Sequence, residues 1–241
     1  MSPEIYRQMA QLEQNHWWFV ARRKVLRTLL QTLALPAAPS ILEVGCGTGG
    51  NLPLLQKFGA VTAVEMDAYA RQQASKQNGS VILPGYLPDH LPPLPAHDLV
   101  CLFDVLEHIP DDRAALHALR SVVKPGGVLL LTVPAYQWLF GPHDSAHHHH
   151  RRYLATALQS LARQTGWQIS RVSYFNTWLL PIVMLYRFKQ RILPGTGGSD
   201  ASMPAPWLNR LLTTVFSSES RWLRHHNLPC GVSIFIVLTP Q

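Results

Sequence analysis

The sequence predicts an α/β protein built on a doubly wound parallel sheet. Short apolar, β-branched runs alternate with helical patterns along most of the chain, as in successive strand–helix–strand units. The first run ends in a glycine-rich turn within the segment 41–52, which reads ILEVGCGTGGNL. The next run ends in an acid, Glu65. Both features fall at the carboxyl ends of predicted strands, where doubly wound sheets bind their ligands.

Length and composition indicate one globular domain with an appendage. The chain has 241 residues, 47% of them hydrophobic, which is ample for a sizeable core. Three cysteines without a C-x-x-C spacing favour a reducing, cytoplasmic setting. We expect no signal peptide, and no apolar run is long enough to span a bilayer. The net charge of +7 leaves an anionic partner open, but basic and aromatic residues do not interleave as nucleic-acid binding would require.

The first 39 residues predict an N-terminal helical cap. Two helices are expected over 4–34, around the aromatic cluster His16-Trp17-Trp18-Phe19. Adjacent tryptophans cannot share one helix face, so one should pack on the domain while the other covers something else, such as a cofactor cleft. A helix pair fixed by aromatic packing is the favoured interpretation, and a ligand-contacting lid is the alternative.

The glycine-rich turn joins the first strand to a helix, which we expect Asn51 to cap. Its spacing is G-x-G-x-G, whereas dinucleotide sites use G-x-G-x-x-G, and no lysine follows as in phosphate-binding loops. Glycines at such a turn let the backbone approach a ligand closely. Further strands are predicted at 61–64, 81–83, 97–103, 128–133, 167–172 and 232–238, with helices at 68–77, from 111 onward and at 154–165.

An insertion of residues 174–229 is expected before the last strand, and it is longer than a hairpin needs. Two apolar pieces, 178–186 and 207–223, are flanked by basic residues and separated by a flexible turn at 195–199. This pattern fits a hydrophobic cap over an acceptor pocket, a dimer face or an interfacial helix on an anionic membrane. The cap is the favoured interpretation, and the core domain then comprises 40–173 and 230–241.

The motif E-V-G-C-G-T-G at 43–49 resembles motif I of the class I S-adenosylmethionine-dependent methyltransferases. The match is to a group that resembles the quinone-biosynthesis methyltransferases. Further along the chain, D-V-L-E-H at 104–108 also matches, and H-W-W-F-x-x-R-R at 16–23 resembles a signature of one bacterial branch. The resemblance implies a seven-stranded Rossmann-like sheet whose last strand returns antiparallel between the fifth and sixth strands. It also implies S-adenosyl-L-methionine as the cofactor.

Residue by residue, the resemblance implies that Glu65 binds the cofactor ribose and that Met66 lies beside adenine. A carboxylate can accept hydrogen bonds from both ribose hydroxyls. Tyr86 stands where many family members carry an adenine-binding acid, so backbone groups near Leu87, or Asp89, are expected to substitute. The predicted cofactor-binding residues are Glu43, Gly45, Cys46, Gly47, Thr48, Gly49, Asn51, Glu65, Met66, Asp67, Gly85, Tyr86, Leu87, Phe103, Asp104 and Val105.

The acceptor side is predicted in the histidine-rich segment 140–153, whose frame H-D-x-x-x-x-H-x-R-R-Y resembles a segment of the same branch. Methyl transfer needs alignment of the acceptor and a base for its proton. A metal site at the four consecutive histidines is not predicted, because adjacent histidines rarely build a tetrahedral site alone. The candidate catalytic residues are His108, His143, Asp144 and His149, and the candidate substrate contacts are Trp17, Trp18, Arg152 and Tyr153.

The predicted function is methyl transfer from S-adenosylmethionine to a hydroxyl, or a carbon, of a small-molecule or lipid-like acceptor. An alternative is a catalytically silent protein that binds cofactor or lipid on the same fold, and a nicotinamide oxidoreductase is disfavoured by the glycine spacing. No nucleic-acid partner is expected. Peripheral membrane contact, and a monomer or a homodimer, are left open.

Overall fold

The computed structural model describes residues 3–79, 81–192 and 202–241. The strands are β1 (Ser40–Val44), β2 (Ala60–Glu65), β3 (Ile82–Pro84), β4 (His97–Phe103), β5 (Val123–Pro134), β6 (Trp167–Phe175) and β7 (Ser233–Pro240). The helices are α1 (Pro3–Leu12), α2 (Trp17–Thr32), α3 (Leu52–Leu55), α4 (Ala68–Asn78), α5 (Asp112–Leu119), α6 (Pro142–Ala146), α7 (Ala155–Gln164), α8 (Leu180–Ile192) and α9 (Pro206–Leu223).

The strands form one seven-stranded sheet in the order β3-β2-β1-β4-β5-β7-β6. Strands β1 to β5 are parallel, and β7 runs antiparallel between β5 and β6. The predicted fold class is therefore confirmed, including the antiparallel return of the last strand. The strand order reverses between β1 and β4, and doubly wound sheets bind their ligands in the crevice beyond the carboxyl ends of the strands at such a point.

Both faces of the sheet are buried under helices, which explains why the strands are apolar without alternation. Leu42 of β1 and Val100 of β4 belong to a buried cluster that includes residues of α5 and α7. Their neighbours Ile41 and Leu99 point to the other face, in a cluster with residues of α2 and α9. Successive residues of each strand thus anchor opposite helical layers.

The N-terminal helices and the predicted insertion meet on one face of the sheet. Asn209 of α9 accepts a hydrogen bond from the Trp17 backbone N–H (2.8 Å) and donates one to the Asn15 carbonyl (2.8 Å). Phe216, fully buried, packs its ring on Trp17 at a centroid distance of 6.2 Å. Helix α9 is therefore part of the layer that covers the core, and the division of the chain into cap, core and insertion stays a prediction.

One local prediction is wrong. Asn51 was expected to cap the helix after the glycine-rich turn, but its side chain makes no capping hydrogen bond to α3. It donates instead to Oε1 of the buried Glu43, at 3.0 Å. The flexible turn predicted at 195–199 lies outside the described residues.

Candidate cofactor and acceptor site

The glycine-rich turn adopts backbone conformations that side chains disfavour. Gly45 has φ +74° and Gly47 has φ +55°. A Cβ at Gly45 would lie 2.6 Å from Cγ2 of Val105, so the turn packs directly against the loop after β4. A Cβ at Gly47 would meet no described atom within 4 Å, so the backbone there borders open space that a ligand can approach closely.

Glu65 ends β2 beside this open turn and is 4% exposed. Its carboxylate accepts hydrogen bonds from the backbone N–H groups of Gly47 (2.8 Å) and Asp67 (2.9 Å). The Asp67 side chain is used locally, since it accepts from the Ala70 N–H (2.8 Å) and caps α4. Met66 is 64% exposed at the same edge. These two backbone N–H groups thus hold the Glu65 carboxylate at the end of β2, where the resemblance places the cofactor ribose.

The first helix reaches this site, a contact that the sequence analysis missed. The Tyr6 hydroxyl donates to Oε1 of Glu65 at 3.4 Å, and the Thr48 hydroxyl donates to Oε2 of Glu13 at 2.8 Å. Helix α1 and the turn after it therefore lie over the glycine-rich turn. Only the H-W-W-F signature hinted at a lid, because nothing in the sequence of α1 identifies its contacts.

Two buried residues, Glu43 and Cys46, lie beneath the turn. Glu43 is 1% exposed, and burial raises the pKa of its carboxyl to about 7. Burial also raises the pKa of the Cys46 thiol, with the charge of Glu43 adding to the effect. A thiol that stays protonated is a weak nucleophile, so Cys46 shapes the turn. Gly49 closes it by donating its N–H to the Cys46 carbonyl (3.0 Å).

On the β3 side, Gly85 donates its N–H to the Glu65 carbonyl (3.4 Å). Tyr86 and His90 exchange two backbone hydrogen bonds of 3.1 Å, and their rings lie 4.5 Å apart. Leu87 is buried, whereas Tyr86 is exposed. The position where the resemblance expects an adenine-binding acid thus lies in a short loop with an exposed tyrosine ring, and its contact with adenine stays a prediction.

The end of β4 is held by a buried arginine from α2. Asp104 has φ +54° and forms an ion pair with Arg22, whose side chain is 5% exposed. The Arg22 guanidinium also lies over the rings of Trp18 (5.0 Å) and Phe103 (5.5 Å). Trp17 packs on α9 and Trp18 lies against Arg22 at the strand end, while both border the same buried cluster. Whether either tryptophan contacts a ligand stays a prediction.

The histidine-rich segment is built around Asp144, which is fully buried. Its carboxylate accepts from the Gly141 N–H (2.8 Å) and binds Arg152 through Nε (2.8 Å) and Nη2 (3.0 Å). Oδ1 also lies 2.9 Å from Nδ1 of His149. Although burial alone would raise the pKa of Asp144, the hydrogen bond from His149 and the charge of Arg152 hold it well below its usual range. Asp144 is placed to orient His149.

Arg152 and Tyr153, expected to contact substrate, are engaged within the protein. The Arg152 side chain is 7% exposed and bonded to Asp144. The Tyr153 hydroxyl donates to Oδ2 of Asp112 (3.0 Å), and its ring is buried. In this arrangement both residues fix the histidine-rich segment to the rest of the protein, and their predicted contact with substrate stays a prediction.

Four imidazoles form what we call the histidine cluster: His108, His143, His147 and His149. The rings of His108 and His149 lie 4.5 Å apart, and those of His143 and His147 lie 4.2 Å apart. Burial, followed by the neighbouring imidazoles, lowers the pKa of His108 and of His147 to about 3. These two rings are therefore neutral at pH 7, with one nitrogen lone pair each.

The residues present fit S-adenosylmethionine. The backbone at Gly47 borders open space that a side chain would enter, and the buried Glu65 carboxylate lies next to it as a hydrogen-bond acceptor. The histidine cluster begins three residues after Val105, which contacts the same turn. Fold and site together define a protein that binds this cofactor at the carboxyl edge of a seven-stranded Rossmann-like sheet.

Comparison with known protein families identifies the class of enzyme. The family model described as "Methyltransferase domain" matches residues 17–172. The chain therefore belongs to the class I S-adenosylmethionine-dependent methyltransferases and is an enzyme that uses this cofactor.

Two relatives carry the name ubiquinone biosynthesis O-methyltransferase. The protein from Xanthomonas axonopodis pv. citri is 28% identical over 189 residues, which cover 66% of this chain and 78% of that one. The protein from Xanthomonas campestris pv. campestris (strain B100) is 32% identical over 137 residues, which cover 49% and 56%.

Solved structures share the fold at low identity. A SAM-dependent methyltransferase from Archaeoglobus fulgidus has a TM-score of 0.56 at 13% identity, covering 90% of this chain and 94% of that one. Phosphoethanolamine N-methyltransferase 2 of Haemonchus contortus, solved with S-adenosyl-L-methionine, has a TM-score of 0.54 at 16% identity, with coverages of 90% and 52%. The [4+2]-cyclase SpnF has a TM-score of 0.57 at 16% identity, with coverages of 90% and 80%. These similarities concern the fold alone.

Proposed function

We propose that this enzyme methylates a hydroxyl oxygen of a small, lipid-like acceptor bound at the histidine cluster. The observation that carries the proposal is the position of the His108–His149 pair, 4.5 Å between ring centroids, next to the loop that contacts the glycine-rich turn. An imidazole of the cluster next to this pair, such as His143, can take up the proton of an acceptor hydroxyl. The names of the two Xanthomonas relatives support oxygen as the acceptor atom.

Bound S-adenosylmethionine supplies an activated methyl group, and its transfer to the acceptor oxygen leaves S-adenosylhomocysteine and one proton. The chain's own residues position the acceptor and take up that proton. Asp144 fixes His149 through Nδ1, which leaves Nε2 of that ring without a bond to Asp144 and able to face the acceptor side. Arg152 neutralises Asp144 and therefore keeps this carboxylate from acting as the base.

The acceptor is inferred to be lipid-like because α8 exposes an apolar face beside the acceptor loop. Leu185 is 70% exposed and Phe188 is 63% exposed. Between them, Arg187 turns inward, and a Cβ at Gly141 would lie 2.7 Å from its Nη1. Helix α8 thus rests on the segment that carries the histidines while its apolar face stays open.

The same face supports peripheral contact with a membrane that holds such an acceptor. Ile182, Leu185, Phe188 and Ile192 recur along α8 and are all exposed. A net charge of +7 favours an anionic surface. In the described part of the chain, no helix is long and apolar enough to cross a bilayer.

The acceptor chemistry is tested by replacing His143 and His149 together with alanine. Phenols and catechols, with and without an alkyl chain, serve as acceptors, and S-adenosylhomocysteine formation is measured. We expect kcat to fall by about 100-fold or more, while the variant still binds S-adenosylhomocysteine. The matched control is the double alanine variant of the exposed His148 and His150, which should keep wild-type turnover. Unchanged turnover in the His143/His149 variant would refute the assignment.

The lipid-like character is tested by sedimentation with anionic liposomes. Leu185→Asp combined with Phe188→Asp should abolish binding and should raise KM for long-chain acceptors more than for short ones. Leu211→Asp is the control, because Leu211 is a half-exposed residue of α9. Equal KM values for both acceptor lengths in wild type and variant would contradict this part of the proposal.

A further inference from the structure

A buried carboxylate without a partner lies beside the histidine cluster. Glu107 is 0% exposed, and within the described residues neither of its side-chain oxygens has a hydrogen-bond partner. One of these oxygens, one ring nitrogen of His108 and one of His149 all lie within 4.8 Å of one another. Burial of an unpaired carboxylate is costly, so the arrangement calls for a compensating group.

The arginines nearby are already engaged. Arg22 forms an ion pair with Asp104, and Arg152 forms one with Asp144. Burial, followed by the charge of Asp104, raises the pKa of the Glu107 carboxyl well above its usual range, although Arg22 and Arg152 act in the opposite direction. Glu107 therefore has no arginine of its own among the described residues, and its carboxyl favours the protonated form as long as no cation is bound.

The imidazoles of His108 and His149 are each held by a hydrogen bond to another group of the protein. Nδ1 of His149 is bonded to Asp144, and the His108 ring is hydrogen-bonded to the backbone of His147. Each ring thus has one nitrogen engaged within the protein, which leaves its other nitrogen available as a ligand. Histidines that ligate metals show this pattern, because the outer hydrogen bond fixes the tautomer and the ring orientation.

We infer that Glu107, His108 and His149 bind a divalent transition-metal cation of the zinc type. Two imidazoles and one carboxylate are a ligand set of catalytic zinc sites, in which the fourth position is open. Ligand atoms around a tetrahedral zinc ion lie roughly 3.4 Å apart, so small side-chain rotations close the group around the ion. Binding of the cation displaces the proton of Glu107 and pairs its buried carboxylate with a positive charge.

This inference rests on the proposed hydroxyl acceptor for its role in catalysis. A hydroxyl oxygen in the open position becomes more acidic, as does water bound to zinc. With His108 and His149 acting as ligands, His143 is the residue of the cluster that takes up the proton. The metal site itself stands on the three residues and is tested without turnover.

The test uses Co²⁺, whose visible absorption reports nitrogen and oxygen ligation, on full-length protein stripped with a chelator. We expect one equivalent per chain with absorption bands of a four- or five-coordinate ion, displaced by Zn²⁺. Glu107→Gln and His108→Gln should each weaken Co²⁺ binding by more than about 100-fold, because even outer partners of metal ligands are worth roughly 10–100-fold. Retained binding of S-adenosylhomocysteine checks that each variant is folded.

The exposed histidines of the same run are the control. The double alanine variant of His148 and His150 should keep the tight site, whereas loss of binding in that variant alone would show surface chelation and overturn the inference. Binding by Glu107→Gln equal to wild type would also overturn it and would identify Glu107 as a protonated buried acid. If the protein transfers methyl groups but binds no Co²⁺, the metal site is refuted and the proposed function stands. If it binds Co²⁺ but transfers no methyl group to any acceptor, the proposed function is refuted and the metal site stands.

Discussion

The buried Glu43 makes the stability of this enzyme depend on pH in a predictable direction. Its Oε1 accepts from Asn51 at 3.0 Å, and Oε2 has no partner among the described residues. The pKa of its carboxyl is raised from 4.5 to about 7, mainly by burial. The folded state therefore binds more protons than the unfolded state between these values. As pH rises through this window, the free energy of unfolding decreases.

The size of the effect follows from the two pKa values. A difference of one in pKa is worth about 1.36 kcal/mol, so the interval from 4.5 to about 7 corresponds to about 3 kcal/mol. Glu43→Gln removes the ionisation and keeps an acceptor oxygen for Asn51. Relative to wild type, the variant should gain about 3 kcal/mol of stability between pH 4.5 and pH 8, because other titrating groups cancel in the difference.

Urea unfolding followed by circular dichroism at several pH values measures this difference. A stability difference between Glu43→Gln and wild type that stays constant from pH 4.5 to pH 8 would refute the reasoning. A difference that grows as pH falls would mean that Glu43 is stabilised as a carboxylate, which would reverse the assigned cause.

Three other substitutions test the contacts around the site. Arg22→Met breaks the buried pair with Asp104 and should lower the free energy of unfolding by about 3 kcal/mol; a loss below about 1 kcal/mol in urea unfolding would contradict it. Glu219 is fully buried, and its carboxylate accepts hydrogen bonds of 2.6–2.8 Å from the backbone N–H groups of Asn176, Thr177 and Trp178. Glu219→Ala leaves these three donors unpaired, so the free energy of unfolding measured in urea should fall by about 3 kcal/mol. Tyr6→Phe removes the hydroxyl that competes for Glu65, so calorimetric affinity for S-adenosylhomocysteine should rise about fivefold; a decrease would show that Tyr6 contacts the cofactor.

The fold was predictable because its signals are local. Apolar runs and glycine turns mark β1 to β5 in sequence, and the resemblance added the antiparallel β7. Asn51 shows where local rules fail: the residue type favours a helix cap, but a buried carboxylate eight residues earlier captures its side chain. Helix α8 is a second case, since its apolar residues face outward while Arg187 is buried.

The site was predictable only in part, because its decisive contacts join distant segments. Arg22 and Asp104 are 82 positions apart, and Tyr6 and Glu65 are 59 apart. Glu107 gave no signal of its own, since a missing partner is visible only once the surrounding side chains are packed. Asp144 was a plausible base by residue type, yet its four bonds to Arg152, His149 and the Gly141 backbone engage both carboxylate oxygens, which supports the proposed positioning role.

The most direct measurement is calorimetric binding of S-adenosylhomocysteine to wild type, Glu65→Ala and Glu4→Ala. Glu4 is an exposed acid of α1 and serves as the control. Hydrogen bonds to a charged acceptor are worth about 1.5–3 kcal/mol each, so loss of the two ribose contacts that we propose for Glu65 should weaken binding by about 100-fold or more. Glu4→Ala should bind as wild type does. If Glu65→Ala binds within about threefold of wild type, the cofactor site is not at the end of β2, and the account of this crevice is wrong.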